Sequence, residues 1–367
     1  PMRLLYGWAK LLAFVFLAGL VGYQLRDASG TWLGDLYGWR PFRFAGWVCV
    51  WGSVVLSIVR GLELRSYVPG QRLVEADLCA RYGMRTTYFT NLAVLQEDVS
   101  RRVIQELARR DDAEVGMHIH PWHTPPLTQF RGSPARASFL HNHPPEVARA
   151  KLDTVYSAFR DAGIAPTSFR GGRYSTGGAI HDFLHERGFV ADCSVVPYTT
   201  WPDDGAPDFR DRDPFPVRLA PPREGLGALW EIPLSLGFSH RPFRLWARCF
   251  EAIENSALGK LRLIGLAERL GLLRKVWLNF EIPDPHDWTP FLRLLQKMGV
   301  PSVCLTVHSS SLTAGPGPYT RTLEDERRIF EQIERVFADI RRLPGFVPAT
   351  ASEVADHLER RYAGSGN

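Results

Sequence analysis

Lysine is almost missing from this chain. Of its 44 basic residues only five are Lys and 39 are Arg; they are scattered among 39 acids, leaving a formal charge of +5. A nucleic-acid surface gathers its basic residues on one stripe beside a reader motif. Neither occurs here, so the positive balance marks no nucleic-acid partner. Cysteine is equally sparse, with five residues, Cys49, Cys79, Cys193, Cys249 and Cys304, far apart and mostly in apolar surroundings. An odd, dispersed set excludes a disulfide framework and reads as reduced thiols. Long apolar runs are lacking too. Leu11–Tyr23 and Phe44–Val59 carry no charge, yet each falls short of the roughly 18–20 residues a spanning helix needs. A secretory signal is one reading of the first run, which follows Arg3 and Lys10, but no small-x-small cleavage site comes after it. Residues 1–70 are therefore an atypical apolar segment with three equal readings: a membrane-associating hairpin through residues 11–59, a buried extension, or a stretch not natural to the protein.

What the chain does have becomes regular after residue 70. A helix over Leu73–Tyr82 leads through Gly83 to a β-branched and aromatic run, Thr86–Thr90, and a charged helix over Glu97–Arg109 leads to a small, apolar strand from Ala113 to His118. Further helices are expected at Glu146–Ala162, Ala179–Arg187 and Asp287–Met298, with an amphipathic region at Phe243–Leu273. Further strands are expected at Thr167–Arg170, Phe189–Val195, Leu229–Leu236, Val276–Phe280 and Ser302–Val307. The last two helices open on capping signatures, Thr322 with Asp325 and Thr350 with Glu353. Repeated helix–strand alternation argues for a parallel sheet, open or closed into a barrel, in a chain long enough for one large domain or two ordinary ones.

The sharpest local feature is Glu114–Pro126, EVGMHIHPWHTPP, with His118, His120 and His123 close together behind a buried strand. Imidazole is the commonest metal ligand and titrates nearest neutrality, so a metal or acid–base site is one reading. A polar loop whose histidines bond to backbone and solvent is the other. Residues two apart on a strand share a face, which would aim His118 and His120 the same way. Two further features stand at predicted strand ends: Arg170 in SFRGGRYS, where paired Arg and Gly suit a carboxylate or a close backbone approach, and His308 in LTVHSS. Catalytic groups of parallel α/β folds collect at the carboxyl ends of strands, and each of these three lies there.

In this order EVGMHIHPWHTPP, SFRGGRYSTGG, GFVADCSVVP, WEIPLS and LTVHSSSL resemble the polysaccharide deacetylases of the NodB type, carbohydrate esterase family four, and most closely their WalW-type branch, linked to surface-polysaccharide and lipopolysaccharide synthesis. The resemblance spans about Leu73 to Leu358. It implies a distorted parallel (β/α) barrel over residues 71–362 and a divalent metal, zinc foremost. It implies an acylated sugar or polysaccharide as substrate, and a cytoplasmic location or one at the inner membrane. Residue by residue, His118 matches the first metal-binding His. The usual second ligand lies four residues on, at Trp122, so His120 or His123 must take that part, and the His-x-His-Pro-Trp order favours His120. Such imidazoles would release metal as pH drops through roughly 6–7. Arg170 matches the Arg that orients the catalytic carboxylate, the Tyr174 N–H matches the oxyanion donor, and His308 matches the general acid. Asp192 and Trp201 fall near the pocket-wall motif.

One part of the pattern is absent. The family's first strand ends in paired acids, a base and a metal ligand, expected around residues 45–60, and no acid occurs between Asp35 and Glu63. General-base assistance is worth about 10²–10⁴-fold in rate, so the chain should be slow or inert unless Asp35 or Glu114 substitutes. Two functions remain open: a metal-dependent N-deacetylase of an acylated amino sugar, and an inactive relative that binds a glycan or a partner through the same groove.

Overall fold

A computed structural model describes residues 76–254, 273–282, 288–315 and 317–364. The expectations for residues 1–70, Asp35 among them, lie outside these residues, as do the start of the Leu73–Tyr82 helix and most of Phe243–Leu273 beyond Glu254. Among the described residues no helix is long and apolar enough to cross a membrane.

The alternation is present. β1 (Thr86–Thr90), α1 (Leu92–Gln96), α2 (Asp98–Leu107), β2 (Ala113–Ile119), α3 (Pro134–Ala137), α4 (Pro145–Asp161), β3 (Ser168–Gly171), α5 (Ala179–Glu186) and β4 (Ala191–Asp192) follow one another. The turns into β3 and β4 are built alike. Gly163 and Gly188 each take φ 75, a left-handed value glycine adopts without a Cβ penalty. The apolar residue after each, Ile164 and Phe189, returns its N–H to Phe159 O and Leu184 O at 2.9 Å and is itself buried.

β5 (Val217–Leu219), β6 (Leu229–Glu231), β7 (Leu236–Phe238), α6 (Phe243–Glu254), β8 (Lys275–Trp277), α7 (Trp288–Lys297), α8 (Leu323–Arg342) and α9 (Ala351–Gly364) complete the chain. The main sheet runs β1-β2-β3-β4-β6-β5, parallel except for β5 at one edge, and β7 with β8 forms an antiparallel pair. Backbone hydrogen bonds carry the sheet onward. Leu234 N–H reaches Val195 O, Leu278 N–H reaches Ser235 O, and Thr306 N–H reaches Leu278 O. The protein is thus a mixed α/β fold around a mostly parallel sheet. Among the described residues no pairing closes the ring from Thr306 back to β1, and the Ser302–Val307 strand is reduced to one bridge, Asn279 with Thr306.

Register sorts the side chains onto two faces. Met117 pairs with Phe169, Phe169 with Asp192 and Asp192 with Glu231, so these four share a face, while His118 pairs with Arg170 on the other. On the first face Met117, Phe169, Leu152, Val155, Phe159, Ile180, Phe183 and Leu184 form a core under α4 and α5. Burying one such side chain is worth about 1.5–3 kcal/mol, enough for this layer to hold sheet to helices and leave the carboxyl end of the second face to polar groups. Deeper on that second face Ala191, Cys193, Trp230 and Ile232 pack against Ala355 and Leu358 of α9.

The capping box of α8 is complete: Asp325 N–H reaches Thr322 Oγ1 at 3.1 Å and Thr322 N–H reaches Asp325 Oδ2 at 3.0 Å. That of α9 is half made. Thr350 N–H reaches Glu353 Oε2 at 2.8 Å, but Ala351 N–H goes to Thr87 Oγ1 and Ser352 N–H to Glu114 Oε2. Glu114 therefore does not stand in for the missing base. It sits four residues, roughly 13 Å of strand, before His118 at the opposite end of β2 and satisfies a helix terminus there.

Candidate active site

The carboxyl ends of β2 and β3 carry His118 and Arg170 side by side. The His118 ring sends Nδ1 to Arg170 O at 2.6 Å, and a carbonyl only accepts, so Nδ1 holds the proton and Nε2 presents a lone pair. That Nε2 lies 3.1 Å from His120 Nε2, with the two rings perpendicular and 4.6 Å apart. Burial first, and then the charge of its neighbour His120, pushes His118 down to about 3. Burial and then His123 push His120 down to about 4. Both rings are therefore neutral at physiological pH. Two ligands at 2.0–2.1 Å from a tetrahedral zinc lie about 3.3 Å apart, so this pair fits one metal ion.

The pH dependence expected from ordinary imidazoles changes accordingly. Metal retention should persist from pH 8 to about pH 5 and fail only as pH drops through about 4. Metal content after dialysis across that range checks it, and release near pH 6.5 would contradict it. The same depression affects stability. The unfolded chain takes up protons below about 6.5 that the folded one refuses until about 4 to 3, so these two rings make the fold less stable as pH falls through that window.

His123 packs beside His120, ring centroids 5.7 Å apart, but among the described residues it does not join His118 and His120 in one ligand set. Its Nδ1 donates to His120 O at 2.8 Å, a carbonyl that also takes Thr124 Oγ1. The loop after His120 is fixed from below by Lys151, a buried ammonium donating to Pro121 O, Thr124 O and Pro126 O at 3.0, 2.6 and 2.7 Å. Desolvation lowers its pKa. Trp122 is an exposed indole lying over the His120 ring at 4.3 Å.

His308 follows the Thr306 bridge and joins the same electrostatic neighbourhood, since its charge depresses both His118 and His120. Its Nδ1 bonds Glu281 at 2.8 Å to each oxygen, its N–H reaches Oε1 at 3.2 Å, and Ser311 Oγ donates to that oxygen at 2.5 Å. The hydrogen bond to Glu281 raises the pKa of His308, an exposed residue. Burial pushes the Glu281 carboxyl up, but hydrogen bonds from His308 and Ser311 outweigh it and hold the group below its ordinary value. The sequence reading missed Glu281. It lies just past β8 in VWLNFE, and the strand-end rule that singled out His308 applies equally to it.

Arg170 donates Nε to Cys193 O at 3.0 Å and Nη2 to Cys304 Sγ at 3.5 Å, and stacks over Phe89 at 4.5 Å. The described residues offer it no carboxylate. The chain leaves β3 through a turn with two adjacent non-glycine residues in the left-handed region, Arg173 at φ 51 and Tyr174 at φ 63. Each costs about 1–2 kcal/mol. The turn is a single 3-10 turn over Gly172–Tyr174, closed by Ser175 N–H to Gly172 O at 3.2 Å. Arg173 is tied to Ser138 and Asp203, and the Tyr174 ring stacks on Trp201 at 5.3 Å and 13°. Trp201 therefore borders Tyr174, whereas Asp192 does not line this pocket. It points to the opposite face of the sheet, where His181, Asp192 and Glu231 bring ligand-capable atoms within 4.8 Å. Strand parity alone could not show this, because the offset between β3 and β4 is set by tertiary pairing.

No family model matches this chain, and no curated protein does. Among solved structures the chain is similar to a provisionally assigned polysaccharide deacetylase from Mycobacterium smegmatis, at 17% identity and a TM-score of 0.46, covering 81% of this chain and 78% of that one.

Proposed function

We propose that this chain is a metal-dependent N-deacetylase of an acylated amino sugar in a surface polysaccharide or its precursor, slowed by lack of a general base. In this reading residues 71–362 form the deacetylase domain, a distorted parallel barrel. The observation that carries the proposal is the pair of neutral imidazoles His118 and His120, Nε2 to Nε2 at 3.1 Å, beside the His308–Glu281 dyad. A divalent ion held by His118 and His120 would polarise the acyl carbonyl. The protein's own groups do the remainder. The Tyr174 N–H, in the turn that follows β3, stabilises the charge developing on the acyl oxygen. Glu281 keeps the proton on His308 Nδ1 and raises its pKa, so the imidazolium presents Nε2–H to the departing nitrogen. Trp201 and Trp277 bracket Tyr174, and the exposed Trp122 covers His120, giving a sugar apolar surfaces to lie on.

A second reading has a specific observation behind it. Among the described residues Arg170 finds only a carbonyl, a thiol and a ring where a catalytic carboxylate would be oriented, which favours an inactive glycan- or partner-binding protein. The chain as it stands should release little acetate from N-acetylated sugar oligomers with Zn²⁺ or Co²⁺. A variant given an Asp within Val48–Trp51, outside the described residues, should release about 10²–10⁴-fold more. His308→Ala should abolish that gain with metal content unchanged. Measurable glycan binding by a variant that stays silent would favour the second reading, and brisk turnover by the unmodified chain would disprove the base deficit.

A further inference from the structure

The strained turn over residues 171–176 needs something to hold it, and its two ends lead to one side chain. Asp192 is wholly buried on the helix-facing side of the sheet. Its Oδ1 accepts from Ser194 N–H at 3.1 Å and from Ser194 Oγ–H at 2.5 Å, and the same Ser194 Oγ accepts the Gly171 N–H at 2.9 Å. Its Oδ2 accepts from Thr176 Oγ1–H at 2.5 Å, and the His181 Nε2, 3.0 Å from Oδ2 and 2.8 Å from Thr176 Oγ1, completes the triangle. Gly171 and Thr176 are the first and last residues of the turn. One carboxylate oxygen therefore holds each foot, and between them lie Arg173 and Tyr174 in the left-handed region.

We propose that Asp192 is a positioning residue that staples both ends of the 171–176 turn, through Ser194 to Gly171 and directly to Thr176, and so fixes the backbone of Arg173 and Tyr174. Charge-assisted hydrogen bonds are roughly twice as strong as neutral ones, and a fully satisfied buried network rigidifies what it holds. His181, Asp192 and Glu231 also resemble a metal-ligand set, but each Asp192 oxygen is taken by protein donors and Glu231 is paired with Arg212. The donors present thus close the network without an ion. Glu231 supplies the internal control. It is buried and beside Asp192 in register, yet it pairs with Arg212 and makes no hydrogen bond to the turn among the described residues.

The staple itself does not depend on the proposed activity, and only the task assigned to the turn rests on it. Amide hydrogen exchange at residues 172–175 and the ring-current shift that Tyr174 imposes on the Trp201 indole report the turn directly, under conditions where each variant is folded. Asp192→Asn should accelerate exchange there by at least about tenfold and move the Trp201 resonance, and Glu231→Gln should change exchange by less than about twofold. Ser194→Ala and Thr176→Val each release one foot and should give intermediate effects, which keeps the proposal testable if Asp192→Asn does not fold. Unchanged exchange in all three staple variants, or equal acceleration in Glu231→Gln, overturns the staple. A turn that loosens as expected while the deacetylation of an acid-restored chain keeps its kcat supports the staple and removes Tyr174 from the proposed mechanism.

Discussion

Replacing His118 with Ala should lower the affinity for Zn²⁺ by on the order of 10²–10³-fold, whereas His123→Ala should change it by less than about threefold. Both rings commit Nδ1 to a backbone carbonyl, so the asymmetry follows from which Nε2 atoms meet. His118 has its Nδ1 proton fixed on Arg170 O and its Nε2 lone pair facing His120 Nε2 at 3.1 Å. His123 also has its Nδ1 on a carbonyl, that of His120, but its ring lies 5.7 Å from the His120 ring, and among the described residues it does not gather with His118 and His120 into one ligand set. Zinc held by four protein ligands is worth about 10–16 kcal/mol, roughly 3–4 per ligand, which converts to the stated loss. His120→Ala should resemble His118→Ala. Competition with a chromophoric chelator at pH 7, with circular dichroism to confirm folding, measures all three. Full affinity in His118→Ala would place the ion elsewhere, and His181 with Asp192 and Glu231 would be the first alternative to examine.

Gly172→Ala should lower the midpoint of thermal unfolding by roughly 6–12 °C and weaken zinc binding as severely as His120→Ala. A Cβ at Gly172 would lie 2.2 Å from Ile119 O and 2.4 Å from His120 Nδ1. One obstacle is backbone and cannot swing aside, and the other is the candidate metal ligand. The backbone of Gly172 is not in the left-handed region, so the penalty is contact alone. Overpacking of this severity falls at the upper end of the usual range, about 3 kcal/mol, and each kcal/mol shifts the midpoint by about 2–4 °C in a domain of this size. Gly163→Ala is the matching control. A Cβ there meets nothing within 4 Å, but φ is +75, so the cost should be only about 1 kcal/mol of backbone strain with zinc binding untouched. A Gly172→Ala protein with unchanged unfolding and zinc affinity would show that His120 moves aside cheaply, and the preformed pair would lose its meaning.

Much of the fold was legible because its signals are local. The β-branched run at Thr86–Thr90, the apolar face of Pro145–Asp161 and the capping box of Thr322 with Asp325 each depend on residues a few positions apart. The placement of His118 and Arg170 at strand ends was legible for the same reason, whereas the strand expected before His308 is a single bridge at Thr306. Other features needed partners from distant segments. Glu114, an acid near the histidines not well placed by sequence to replace the missing base, satisfies the Ser352 N–H of a helix 238 residues later. Asp192 looked like pocket wall and is the buried hub behind the turn. Glu281 went unnoticed because nothing in VWLNFE announces that His308 returns to it from 27 residues on.

The sequence by itself determined the helix–strand alternation, the candidate ligands at strand ends and the absence of an acid between Asp35 and Glu63, because periodicity, capping and residue chemistry act over one or two turns of chain. The tertiary structure alone decided which of three histidines face one another, which face of the sheet Asp192 occupies and which carboxylate holds His308. Alternation along a strand fixes only that neighbours point opposite ways. The offset between strands is set by how each crossover helix packs, and a shift of one residue would exchange the two faces. Here the pairing of His118 with Arg170 and of Phe169 with Asp192 sets that offset.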